Sequence, residues 1–146
     1  FEDGKGCAKV SGRGEVVEPI KGREDLFLLL VFPSVSSSTK KAYQLVDEYL
    51  SNHNDDVYPQ FDELEKEYNC RVQNWTFINT FTPAVTEEYP EIAEALNAVI
   101  ETGALFSSMS GSGSTVFGLY ESIEAAESAK AKLDHKWACK ATRTIC

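Results

Sequence analysis

The residues best suited to chemistry form one run of small side chains, Met109-Ser110-Gly111-Ser112-Gly113-Ser114-Thr115. Glycine takes positive φ without a Cβ penalty, so such a loop can bring backbone N–H groups up to a phosphate. The hydroxyls of Ser110, Ser112, Ser114 and Thr115 add donors. It is not a Walker loop: the pattern G-x-x-x-x-G-K-[ST] is absent, no lysine follows, and the next element reads as a strand. A glycine-rich turn between two strands accounts for the same residues. A second segment, Pro33-Ser34-Val35-Ser36-Ser37-Ser38-Thr39, leads into Ala42-Tyr43 where a strand hands over to a helix. Helix N-termini attract anions, so a ligand phosphate fits here, and so does an ordinary capped helix start. Tyr43, one turn into that helix, is either a half-buried packing residue or a platform on which a ring can stack.

The other candidates are weaker. Gly12-Arg13-Gly14-Glu15 suits a hairpin turn. Asp62, Glu63, Glu65 and Glu67 read as a solvated helix face. Cys7, Cys70, Cys139 and Cys146 form no C-x-x-C pair, and neither His53 nor His135 lies at metal-ligand spacing from them. Unpaired thiols in a reducing cytosol are the expectation, with no metal bound. His135 follows a helix and could cap it.

The elements that must position the two loops are legible from apolar periodicity. Residues 6–11 and 15–20 read as a hairpin whose partner strands lie elsewhere. Leu26 to Phe32 is continuously apolar and is stopped by Pro33, as in a central strand covered on both faces. Ser38 or Thr39 caps a helix with Ala42, Leu45, Val46, Tyr49 and Leu50 on one face. A polar loop at 51–56 ends it. Pro59 to Tyr68 reads as a second helix, and Trp75 to Phe81 is ambiguous between strand and helix. Pro83 suits the first turn of a short helix. Pro90 opens another with Ile92, Ala93, Leu96, Val99 and Ile100 inward and Gly103 at its end. Residues 104–109 and 115–120 are strands around the serine-glycine loop. Ser122 caps a helix with Ile123, Ala126, Ala129 and Leu133 as its stripe. Trp137, Cys139, Ala141 and Ile145 alternate along a last strand.

From residue 26 onward the order is β-α-β-β-α-β with extra helices in its first half. The fold class is therefore α+β: a ferredoxin-like antiparallel sheet of four strands with helices on one face, plus an N-terminal hairpin. The 146 residues suit one domain, and 42% hydrophobic content supports a core. No apolar run approaches the roughly 20 residues of a membrane span, and no signal peptide is expected. A formal charge of −9, with 14 basic residues scattered among 23 acidic ones, argues against nucleic acid as a partner.

Singly these motifs are weak, but their succession is specific. Gly12-Arg13-Gly14-Glu15, the strand ending at Pro33, Val35-Ser36 with Ser38-Thr39 and Ala42-Tyr43, Asn79-Thr80-Phe81, Tyr89-Pro90 with Ile92, and Met109 to Ser114 with Phe117-Gly118-Leu119-Tyr120 follow one another along almost the whole chain. This order resembles the GHMP kinase superfamily, and within it the branch acting on 4-diphosphocytidyl-2-C-methyl-D-erythritol. The resemblance implies a two-domain kinase that uses ATP and Mg²⁺ to phosphorylate a hydroxyl of that small molecule on the non-mevalonate route to isoprenoid precursors. It further implies a cytoplasmic enzyme with its active site in the cleft between domains. Ser110, Gly111, Ser112, Gly113 and Ser114 match the family's third motif, near the phosphates. Tyr43, with Thr39, matches the cytidine side of the substrate site.

Three departures qualify the match. The family's main ATP loop, G-L-x-x-S-S, and the Gly-Ala-Asp-x-Pro segment holding its catalytic Asp do not occur here. The usual Asn-Asp pair is Asn79-Thr80. The chain begins with Phe1 instead of Met. The expectation is thus a C-terminal portion: residues 1–21 as strands left from an N-terminal domain, residues 22–146 as the C-terminal domain. Catalytic residues are expected to be absent, so the chain alone is expected to be inactive. Open hairpin edges could support a homodimer. Another kinase of the superfamily, acting on homoserine, mevalonate or a sugar, also fits the glycine loop, as does a non-catalytic ferredoxin-like binding module.

Overall fold

A computed structural model describes residues 6–53 and 60–145. The apolar run becomes strand β3 (Phe27–Phe32), which lies between β5 (Val116–Tyr120) and β6 (Ala138–Arg143). The strand β4 (Phe106–Met109) completes the sheet on the far side of β5. All three pairings are antiparallel, with Leu29 opposite both Gly118 and Ala141. Counted from β3, this is the ferredoxin-like arrangement expected from the element order. The hairpin β1 (Ala8–Ser11) and β2 (Val16–Pro19) forms a separate two-stranded sheet. Its turn is made by Gly12 and Gly14, both at positive φ.

The described residues form five α-helices: α1 (Thr39–Asn52), α2 (Leu64–Tyr68), α3 (Phe81–Glu88), α4 (Pro90–Glu101) and α5 (Ile123–Leu133). Ser38 and Ser122 cap α1 and α5, each hydroxyl accepting from the N–H three residues on. Each thereby satisfies a donor that the first helical turn leaves unpaired. The helices that lie on the sheet are α4 and α5, while α1 packs against α3. The inserted helices therefore include the first one, and α4 makes the crossover.

Strand periodicity divides the core. Leu29, Val31, Val116 and Tyr120 face α4 and α5, where they meet Ile92, Ala95, Val99, Ala126, Ala129 and Leu133. The opposite face carries Leu28, Phe106, Phe117 and Leu119, which pack with Leu26, Val72, Tyr68 and Trp75. Period-2 alternation puts Gly118 on the α4 face, where an added Cβ would lie 2.4 Å from a Val99 methyl. The glycine is what lets the helix approach so closely.

Several sequence expectations require correction. Ile100 is 56% exposed, and Ala95 occupies the inward position instead. At 100° per residue, 92, 95 and 99 stay on one stripe, while 100 turns past its edge. Ile145 is 86% exposed, because β6 ends at Arg143. Trp137 is buried but precedes that strand. The stretch 75–79 is neither strand nor helix: Trp75 packs edge-on against Phe106 on the outer face of the sheet and against Phe77 two residues on. Helix α5 ends at Leu133 and is capped by Asp134, with His135 in the turn beyond. The predicted second helix begins as a single 3₁₀ turn, Phe61–Glu63, before α2. Pro59, residues 54–56 of the polar loop, Phe1 and Cys146 lie outside the described residues. Cys7, Cys70 and Cys139 are free thiols. Among the described residues no helix is long and apolar enough to cross a membrane.

Candidate functional site

The serine-glycine loop joins β4 to β5, two adjacent antiparallel strands whose register fixes its ends. Ser110 N–H donates to the Thr115 carbonyl at 2.8 Å, and Gly113 N–H to the Ser110 carbonyl at 3.0 Å. Gly111 and Gly113 both have positive φ, 54° and 86°. Their surroundings differ in a useful way. A Cβ on Gly113 would come within 2.9 Å of the Met109 sulfur and 3.6 Å of Ile92, so this glycine faces the core. A Cβ on Gly111 would meet nothing within 4 Å, so that side of the loop is open. The loop is a surface feature with a packed inner side.

The start of α1 stands beside it. Thr39 Oγ1 lies 3.2 Å from Ser112 Oγ across 73 residues of sequence. The preceding segment is held by Glu91 at the start of α4, whose carboxylate accepts from Ser34 N–H at 2.8 Å and from the Trp137 indole at 3.1 Å. The first turn of α1 carries Lys40 and Lys41 and no acidic residue. Lys41 Nζ is 3.5 Å from Glu88. The positive end of the helix and these ammonium groups make its N-terminus attractive to anions.

Tyr43 lies on the same helix, 58% exposed, with its ring edge-on to Phe81 at 5.0 Å. It is thus a surface aromatic supported from one side, and not the half-buried packing residue that periodicity also allowed. Asn79 joins the two halves. Its side-chain amide donates to the Met109 carbonyl at 2.7 Å and the Gly111 carbonyl at 2.8 Å, and its oxygen accepts from Phe81 N–H at 3.0 Å. Sequence reasoning did not single out Asn79 as a site residue. The available signals were its place in the ordered motif series and its match to the first residue of the usual Asn-Asp pair.

Of the residues expected at the site, Thr39 meets Ser112 directly, while Tyr43 touches Phe81, which is linked to the loop through Asn79. The structure does not bring carboxylates to them in a metal-binding set. Among the described residues no group of three or more His, Cys, Asp or Glu side chains could hold a metal ion. Hydroxyls, amides and a helix N-terminus suit phosphate oxygens and not a divalent cation. A cavity of about 380 Å³ between α1 and α3, lined by Leu45, Tyr49, His53 and Glu87 among others, lies toward the far end of α1.

Similarity to known proteins identifies the family and the fold. The family model for the C-terminal domain of GHMP kinases matches residues 39–139. A 4-diphosphocytidyl-2-C-methyl-D-erythritol kinase of Thermodesulfovibrio yellowstonii is 37% identical over 143 residues, covering 93% of this chain and 48% of its own length. A crystal structure of a 4-(cytidine 5'-diphospho)-2C-methyl-D-erythritol kinase superposes with a TM-score of 0.71 at 22% identity, covering 93% of this chain and 48% of that one. A homoserine kinase from Cytophaga hutchinsonii superposes with a TM-score of 0.57 at 19% identity, over 88% and 45% of the two chains. At these identities the two structures speak for the fold. The chain spans about half the length of the curated relatives it matches.

Proposed function

This chain belongs to the GHMP kinase family, matching its C-terminal domain, and from that premise we propose that it is the C-terminal portion of a cytoplasmic, ATP-dependent kinase for 4-diphosphocytidyl-2-C-methyl-D-erythritol, acting on the non-mevalonate route to isoprenoid precursors. The identity to curated kinases of that name supports the substrate. The observation that carries the site assignment is the contact between Thr39 and Ser112. It joins the two segments that could each hold part of a nucleotide-linked substrate.

In this reading the loop Ser110–Ser114 forms one edge of the phosphate site, and Tyr43 with Thr39 forms the cytidine side. Phosphoryl transfer rests on positioning and charge neutralisation. The loop supplies positioning through backbone N–H groups and hydroxyls on its open side at Gly111. The N-terminus of α1 supplies positive potential. The main ATP loop, the Asp that accepts the hydroxyl proton and the ligands of Mg²⁺ belong to an N-terminal portion outside this chain. The hairpin β1–β2, within residues 1–21, belongs with the sheet of that portion. The isolated chain accordingly turns over no ATP.

The test is a substrate panel on the longer protein with ATP and Mg²⁺. Phosphorylation of the diphosphocytidyl alcohol, with homoserine, mevalonate and galactose left untouched, is the expected result. Phosphorylation of one of those three instead overturns the branch, and no transfer to any of them favours a non-catalytic binding module. Tyr43→Ala refines the assignment. Loss of one base-stacking platform corresponds to a rise of roughly tenfold in KM for the cytidine-linked substrate. Because Tyr43 is exposed, folding should be nearly unaffected. An unchanged KM removes Tyr43 from the site.

A further inference from the structure

We propose that Asn79 is a positioning residue that sets the conformation of the serine-glycine loop and ties it to the aromatic pair Tyr43–Phe81. The inference rests on the reading of that loop as the phosphate edge, and adds a residue to which that reading assigned no part. The geometry is reciprocal. One side chain donates twice, to the carbonyls at either end of the Met109–Gly111 segment, and accepts once from the N–H of Phe81. A primary amide offers two donors and an acceptor in one plane, so three of its hydrogen-bonding positions are used. No other uncharged side chain of this length can donate to two carbonyls while accepting from a third group.

The consequence for the loop is specific. Gly111 sits in the left-handed region with open space beside it, so packing does not hold its outer side. The amide of Asn79 holds the Met109 and Gly111 carbonyls on one side, which orients the peptide groups that follow. Thr39 steadies Ser112 from the other side. Phe81, fixed by Asn79 at its own N–H, is the ring on which Tyr43 leans. The same amide thus stands between the two substrate-facing elements.

The experiment compares three forms of the longer protein: wild type, Asn79→Ser and Gly111→Val. A serine at 79 can still accept from Phe81 N–H but cannot bridge two carbonyls. Valine at 111 is strained at positive φ and fills the open side of the loop. Loss of two hydrogen bonds predicts that Asn79→Ser raises KM for ATP roughly tenfold, with KM for the alcohol substrate within about twofold of wild type. Gly111→Val should impair ATP use at least as strongly. If Gly111→Val leaves the ATP parameters unchanged, the loop is not the phosphate edge and both readings fall. If Gly111→Val impairs ATP use and Asn79→Ser does not, or if Asn79→Ser raises both KM values equally, the positioning role alone is refuted. Should Asn79→Ser fail to fold, side-chain amide exchange in the wild type decides. Protected Asn79 NH₂ protons that shift on adding ATP support the role, and unprotected or unshifted ones refute it.

Discussion

Replacing Gly118 by alanine places a methyl group in space that α4 already occupies. The added Cβ would stand 2.4 Å from Val99 Cγ1, 3.1 Å from Ala104 Cβ and 3.2 Å from Tyr120 Cε2. The first distance is more than 1 Å inside carbon–carbon contact, and Val99 is fully buried, so it cannot swing away. Either α4 lifts from the sheet or Val99 leaves its rotamer. Overpacking of this kind costs about 1–3 kcal/mol, and the gain from replacing a strand glycine offsets about 0.5–1 kcal/mol of it. The net expectation is a loss of about 1 kcal/mol, which lowers the urea midpoint by roughly 0.5 M for a protein of this size. Urea unfolding followed by tryptophan fluorescence measures it, since Trp137 is buried in the same cluster. The decisive comparison is the double variant. Val99→Ala alone opens a cavity and costs about 1–3 kcal/mol. Combined with Gly118→Ala it removes the atom that clashes, so the pair should be less destabilising than the sum by at least about 1 kcal/mol. Simple additivity, or a neutral Gly118→Ala, would refute the claim that this glycine sets the distance between helix and sheet.

Two further outcomes follow from named contacts. Arg23 donates to the carbonyls of Tyr68 and Cys70 and forks onto Asp25, while lying over the rings of Tyr68 and Trp75. Arg23→Ala should cost about 2 kcal/mol, whereas Asp25→Asn, at a carboxylate 65% exposed, should cost under about 1 kcal/mol. Equal losses in chemical denaturation would mean that the ion pair, not the carbonyl bridging, stabilises the outer cluster. Burial pushes the Tyr120 phenol above its ordinary value of 10.0, partly offset by its hydrogen bond with Thr102. The folded state therefore keeps a proton that the unfolded chain releases near pH 10. This contribution is complete below pH 10 and is lost as pH rises toward the folded-state value. Wild type should lose stability above pH 10 relative to Tyr120→Phe, and a difference between the two that does not change with pH would contradict it.

The fold was legible where local chemistry and tertiary contact agree. The run from Leu26 to Phe32 needs both faces covered, and helices with strands of period 2 around it leave few arrangements. Ser122, and the pair Ser38 or Thr39, were readable as caps because capping is settled within one helical turn. The stretch 75–79 was not, since its aromatic residues satisfy either period and its course is set by tertiary contacts, Trp75 with Phe106 and Tyr68 and Asn79 with Met109. Ile100 and Ile145 looked inward on hydrophobicity alone. Each is turned out by where its element ends or how far its helix rotates, which depends on the neighbours.

Composition and motif order by themselves determined an acidic α+β chain with a serine-glycine loop between two strands and a capped helix that meets it only if the chain folds back. That return is a tertiary matter. Thr39 and Ser112 are 73 residues apart, and Asn79 and Gly111 are 32 apart. No local propensity joins them. They meet because β3 pairs antiparallel with β5, which brings the end of β3 and the start of β5 to the same end of the sheet. The hydrogen bonds made there close only once that sheet has formed.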